Sequence, residues 1–138
     1  MVKVNLSLNR WLRGLGLLWG VLLLFWLPIE DVDTRYIMPL AAGLGVLLAI
    51  KILTGYKHEP SFTRFVIIGT LSGLVIPLIA VFLIVFKGGL HAHGFSEFTP
   101  GQILDILIGI PLWGLIGGGG GLVAAYMDSK SGQAADNS

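Results

Sequence analysis

The side chains able to do chemistry in this chain fall mainly in two places, and the first is a histidine pair. His91 and His93 are two residues apart, so an extended backbone would put both imidazoles on one face, with the Glu97 carboxylate close behind. Two imidazoles and one carboxylate suit an open metal site. A further firm ligand is missing, however, and a glycine-bounded loop would lose considerable conformational freedom on closing around an ion. We therefore predict no bound metal and expect an exterior loop that contacts the membrane interface or a partner's loops.

Asp105 is the second place, because it is the only carboxylate within an apolar run of the sequence. Near the start of a helix, a carboxylate is stabilised by the helix dipole and by unpaired N–H groups, which makes Asp105 a candidate electrostatic cap. Ionisable groups inside a bilayer are costly and often functional, which also makes it a candidate proton or cation site. Its shallow position in the run favours the cap, and both interpretations stay open.

Most other chemistry is excluded by residue types that the chain lacks. It has no cysteine, so no disulfide, thiolate metal site or thiol nucleophile is available. No credible serine, histidine and aspartate triad can be assembled, because Ser72 lies deep in an apolar run. The formal net charge is +1 and basic residues form no dense cluster, so we expect no nucleic-acid partner. We predict that the protein is not an enzyme, and its cofactors are left unassigned.

The elements that would position these groups are four long apolar runs. The chain is 54% hydrophobic and only 12% charged, about half the charged fraction of soluble domains. Each run reaches roughly the 20 residues that a helix needs to cross a bilayer, and none alternates in polarity as a membrane strand would. We predict an all-α membrane protein, a single domain over 1–138 with four transmembrane helices in a small bundle and a polar tail at 127–138. The spans are expected at about 11–29, 36–54, 65–86 and 103–126.

The placement of basic residues predicts the orientation of these helices. One side of the membrane receives most of the Lys and Arg residues, namely Lys3, Arg10, Arg13, Lys51, Lys57, Arg64 and Lys130. The other side receives only Arg35 and Lys87. Because loops rich in Lys and Arg stay in the cytoplasm, the majority side and both chain termini are predicted to be cytoplasmic.

Local signals also mark where helices begin and bend. Thr99, Pro100 and Gln102 fit an N-cap, a proline in the first turn and the partner of a capping box. Pro77 and Pro111 fall inside their runs, where each is expected to kink or loosen the helix.

Small residues recur every four positions in all four runs, which gives each helix a face for close packing. The repeats are Gly16 with Gly20, Ala41 with Gly45, Gly69 with Gly73, and Gly117 with Gly121 and Ala125, preceded by Gly114. The unbroken row 117–121 is the most unusual, since each glycine costs about 1 kcal/mol of helix propensity relative to alanine. Three interpretations stay open: packing within the bundle, docking of a partner helix or a flat ligand, and an unwound substrate-binding helix. We predict that Gly117 and Gly121 form a contact surface that does not face lipid.

A short chain with four spans resembles the small multidrug exporters in size and span count. That family depends on a membrane-embedded glutamate in its first span. The first run here, 11–29, contains Arg13 and no acidic residue. The resemblance therefore implies no transport residue in this chain.

Two functions of different class remain. The preferred one is a non-enzymatic accessory or assembly subunit of a larger membrane complex, with respiratory and photosynthetic complexes as candidates. Its glycine-rich helix faces would bind membrane lipid, other transmembrane proteins, or a quinone or pigment. The alternative is a small oligomeric transporter or channel, with Asp105 and the loosened fourth helix lining its path. We expect an integral, multi-pass protein, and a bacterial inner membrane and a thylakoid-type membrane are the candidate locations.

Overall fold

The fold is all-helical throughout the described part of the chain. The computed structural model describes residues 6–29, 34–55, 61–90 and 98–136. Five helices account for nearly all of them, and no strand occurs in these ranges: α1 Leu6–Trp26, α2 Thr34–Gly55, α3 Phe62–Leu90, α4 Pro100–Ile108 and α5 Ile110–Asp136. The expected all-α class is therefore confirmed.

Three helices are long and apolar enough to cross a membrane, and their spans are Arg35–Gly55, Phe62–Leu90 and Ile110–Lys130. They are compatible with an integral membrane protein, which is the expected class in a coarser form. Helix α1 is 21 residues long but carries Arg10 and Arg13 in its first half, and it is not among the three. Three of the described helices are therefore candidate spans, where the sequence predicted four.

The start of α4 has the capping geometry that the sequence predicts. The Thr99 hydroxyl accepts a hydrogen bond from the Gln102 backbone N–H at 3.3 Å. The Gln102 side-chain oxygen accepts one from the Thr99 backbone N–H at 2.8 Å. This reciprocal pair is a capping box, with Pro100 in the first turn, where a missing N–H costs nothing.

The predicted fourth span forms two helices, because the helix is interrupted at Gly109. Pro111 has no N–H, so the carbonyl of Leu107 loses the donor that a continuous helix would supply. The Gly109 N–H turns back to the carbonyls of Asp105 and Ile106, at 3.3 and 3.2 Å. Pro77, in contrast, lies within a helix that continues from Phe62 to Leu90.

The helices pack in the order α1, α2, α3 and α5, with α4 against α3 and α5. Among the described residues, no comparable contact joins α1 to α5, so the arrangement is an open row where a small bundle was expected. The buried core lies toward the end of the helices where α1 ends and α4 begins. It consists of Trp26, Ile37, Ala41, Ile76, Ala80, Leu83, Ile84, Phe98 and Ile106.

Large apolar side chains cover much of the outside of this row. Each of the five helices exposes large apolar side chains. Soluble monomers rarely expose apolar surface of this extent, and such surface is typical of contact with lipid or with other proteins. The predicted polar tail, which begins at residue 127, is helical as far as Asp136, because α5 continues to that residue.

Candidate functional site

The contact between α3 and α5 brings together four of the glycines singled out in the sequence. A Cβ atom added to Gly69 or Gly73 would lie within 3.0 Å of the α5 backbone, at Gly117 and Trp113 respectively. A Cβ added to Gly117 or to Gly121 would meet the α3 backbone equally closely. The two backbones therefore touch directly, which only paired glycines permit. We call this contact the glycine seam.

The remaining small residues of α5 have different neighbours. A Cβ on Gly114 would lie 2.7 Å from a methyl carbon of Leu74, and one on Gly118 would lie 2.8 Å from the Thr70 hydroxyl oxygen. Both neighbours are side chains, and a side chain can move more easily than a backbone. Ala125 is buried, whereas Gly119 and Gly120 are exposed with nothing within 4 Å of an added Cβ.

An apolar groove of about 360 Å³ lies between α2 and α5, with α3 as its floor. Small residues form much of its lining: Ala42 and Ala49 from α2, Gly69, Ser72 and Gly73 from α3, and Gly117, Gly120, Gly121 and Ala124 from α5. No charged side chain lines it, and Ser72 carries its only side-chain hydroxyl. The size and apolar character are those of a site for a helix side chain, an acyl chain or a flat ring.

A smaller cleft of about 240 Å³ lies at the break between α4 and α5. It is lined by Met38, Gln102, Asp105, Ile106, Gly109 and Trp113. Asp105 is exposed and lies in the second turn of α4, beyond the first turn, where the regular helical hydrogen bonds begin with the Ile103 N–H on the Thr99 carbonyl at 3.2 Å. Thr99 and Gln102 already cap that end. The electrostatic-cap interpretation of Asp105 is therefore not supported by the geometry.

Lys87 lies just beyond the predicted third span, 65–86, and its burial is not expected from the sequence. In the structure α3 continues to Leu90, so Lys87 lies in the last turn of the helix with 0% of its surface exposed. Its ammonium donates a hydrogen bond to the Ile29 carbonyl at 2.5 Å and lies 4.7 Å from the ring centroid of Trp26. A cation near a helix C-terminus is favoured by the dipole, and this was the signal available in the sequence.

The histidine pair with Glu97 lies outside the described residues. Within 6–29, 34–55, 61–90 and 98–136 there is no group of three side chains that would hold a metal ion.

The groove and the cleft are adjacent, because Trp113 lines both of them. Comparison of the chain with protein-family models, curated proteins and solved structures finds no match to any of them.

Proposed function

We propose that this protein is a non-enzymatic accessory or assembly subunit of a larger membrane complex, which binds a partner helix or a flat apolar ligand in the groove on α3. The observation that carries the proposal is Gly120, an open glycine that lines the groove. Gly117 and Gly121 are accounted for by the glycine seam, but a Cβ added to Gly120 would have no atom of the described residues within 4 Å. A glycine at this place in α5 costs about 1 kcal/mol of helix propensity relative to alanine. A close backbone or ring from outside the chain would offset that cost.

The lining of the groove narrows the kind of occupant. It offers one hydroxyl and no charge, so a polar substrate would lose its hydration without gaining hydrogen bonds. A helix with small residues, a lipid chain, or the ring of a quinone or pigment needs few such bonds. The Ser72 hydroxyl has no acid or base beside it in this lining, and we propose no catalytic step for the groove.

The proposal includes four spans with both termini in the cytoplasm. Helix α1 has 21 residues, about 30 Å at 1.5 Å per residue, which matches the hydrocarbon thickness. Because the chain lacks cysteine, single cysteines can be labelled with an impermeant reagent in intact cells, at Ser7, Thr34, Ser61, Ser96 and Ser129. Only the positions at Thr34 and Ser96 are expected to react from outside. Labelling at Ser7 or Ser129 would contradict this topology.

The subunit role is tested by purifying the protein from its native membrane in mild detergent. We expect the wild-type chain to migrate in a stoichiometric complex with other proteins. Gly120→Leu fills the groove and is expected to leave that complex while the isolated chain keeps its helical content. Gly119→Leu is the matched control, because Gly119 is equally open but does not line the groove. Loss of the complex in both variants, or in neither, would contradict a role for the groove.

A small oligomeric transporter or channel is the second candidate, favoured by the shared position of Trp113 between the Asp105 cleft and the groove. In that function the indole would separate two halves of a path. The purification discriminates between the candidates, because a transporter of this kind would migrate as a self-oligomer without other proteins.

A further inference from the structure

Asp105 presents a carboxylate that has no counter-charge among the residues the structure describes. The side chain is exposed and lines the cleft, and no side chain in the described ranges donates to it or forms an ion pair with it. The neighbouring Ile106, in contrast, is buried in the core and anchors α4. The carboxylate is therefore held at a fixed place on the outer surface of the row.

The depth of Asp105 makes an unpaired charge costly. Met38 lines the same cleft and lies three residues, or about one helical turn, inside the apolar span that begins at Arg35. In the topology proposed above, Asp105 is thus about one turn inside the end of that span, where water is scarce. Carboxylates at such depth are rare and are usually paired with a cation at the same level.

The cleft around Asp105 has the surfaces that bind an organic cation. Trp113 contributes an indole, whose face attracts cations, and Met38 contributes a polarisable thioether. A guanidinium matches this pairing better than an ammonium, because it is planar, pairs with a carboxylate in a bidentate way and stacks on an aromatic ring. A lipid ammonium group would reside in the headgroup layer, above the level of Met38, whereas an arginine carried on a helix reaches that level.

We propose that the cleft formed by Met38, Asp105 and Trp113 receives an arginine side chain from a membrane helix of a partner protein. This inference rests on the proposed function as a complex subunit and assigns a polar contact to that assembly. The groove supplies apolar contact area, and Asp105 selects a partner that carries a cation at the matching depth. A fixed charge contributes to the choice of partner, because a helix without the cation leaves the carboxylate unpaired.

The test uses the full chain in phosphatidylcholine vesicles and a synthetic probe. The chain carries one dye on Ser129→Cys, the only cysteine present. The probe is an apolar peptide of about 20 residues with one arginine a turn from its exterior end, and its control has glutamine at that position. Energy transfer between the two dyes reports association. We expect the arginine peptide to bind about tenfold more tightly than the glutamine peptide, which corresponds to ~1.4 kcal/mol.

Variants of Asp105 show whether the preference comes from this carboxylate. Asp105→Asn is nearly isosteric and is expected to abolish the preference for arginine, while Asp105→Glu retains most of it. Asp105→Arg is expected to reverse the pattern and to favour a peptide with glutamate at the probe position. Equal binding of both peptides to the wild type, or an arginine preference that survives in Asp105→Asn, would overturn the inference.

Native purification separates this inference from the proposed function. If the wild-type chain migrates without other proteins, the subunit role fails whatever the peptides do. If the wild type migrates in a complex while the peptides bind equally, the subunit role stands and only the arginine contact fails.

Discussion

Helices α1 and α5 contain the same small-residue spacing and use it differently. In α5, Gly117 and Gly121 lie against the backbone of α3, where a Cβ atom would overlap it. In α1, a Cβ added to Gly16 or Gly20 would have no atom of the described residues within 4 Å. The difference lies in the neighbour, since α3 presents glycines of its own and α2 presents none to Gly16 or Gly20. Two helices approach to backbone contact only when both lack side chains at the crossing.

Helix α1, at the edge of the row, is attached to the rest of the fold by side-chain hydrogen bonds. The indole N–H of Trp19 donates to the Leu40 carbonyl at 2.7 Å, and the Lys87 ammonium donates to the Ile29 carbonyl at 2.5 Å. Both bonds join α1 or the turn after it to the rest of the fold. The seam is thus stabilised by backbone contact, whereas α1 depends to a larger extent on side-chain hydrogen bonds, which are strong where water is scarce.

The largest expected effect is a loss of stability on replacing the α5 pair, Gly117 and Gly121, compared with the α1 pair, Gly16 and Gly20. Replacing Gly117 and Gly121 together by leucine would insert two branched side chains where the backbones touch. Overpacking costs about 1–3 kcal/mol or more at each site, a large part of the ~5–15 kcal/mol that stabilises a typical protein. We expect the double variant to aggregate or to lose its single elution peak in detergent.

The matched control carries the same two changes at Gly16 and Gly20, where the space is open. Leucine has the higher helix propensity, so this variant is expected to fold with unchanged or slightly higher stability. If both double variants behave alike, the contrast between seam and edge is wrong. If only the control leaves its native complex, the open face of α1 contacts a partner.

The sequence predicted those parts of the fold that depend on neighbouring residues. The α4 capping box and the helical, apolar spans are set by short patterns, and Pro111 signalled a disruption close to the observed break at Gly109. The use of each glycine pair depends instead on the neighbouring helix, which no local pattern contains. The burial of Lys87 was not predicted because it results from contact with Trp26 and Ile29, far away in the chain.

The candidate sites also depend partly on local sequence and partly on contacts between helices. Asp105 was recognised because a charge in an apolar run is visible in the sequence. Its position beyond the first turn of α4, and the presence of Trp113 and Met38 beside it, follow from the helix break and from the packing of α2. The groove was foreseen only as a surplus of glycine, because its walls come from three separate helices.

The second largest effect is expected at the C-terminal end of α1. Lys87→Met keeps the length of the side chain but removes the hydrogen bond to the Ile29 carbonyl and the contact of the cation with Trp26. A hydrogen bond to a charged group contributes about 1.5–3 kcal/mol. We expect the free energy of unfolding in SDS titrations to fall by about 2 kcal/mol, since methionine recovers part of the packing.

Lys51→Met serves as the control, because Lys51 is exposed on α2. Its effect on unfolding is expected to stay within about 0.5 kcal/mol. Equal stability of Lys87→Met and the wild type would show that α1 does not depend on the ammonium and would weaken the contrast with the seam.

The smallest effect is expected at Trp19, in the middle of α1. The ring lies over Gly43, where an added Cβ would approach it to 3.1 Å, and its N–H reaches the Leu40 carbonyl. Trp19→Phe removes that hydrogen bond, for a loss of about 1 kcal/mol in SDS titrations, and leaves most of the apolar contact. Trp11→Phe is the control, since Trp11 is 73% exposed and its replacement should change little. A loss as large as that in Lys87→Met would place the main attachment of α1 at its centre. No loss would leave the C-terminal end of α1 as its principal polar attachment.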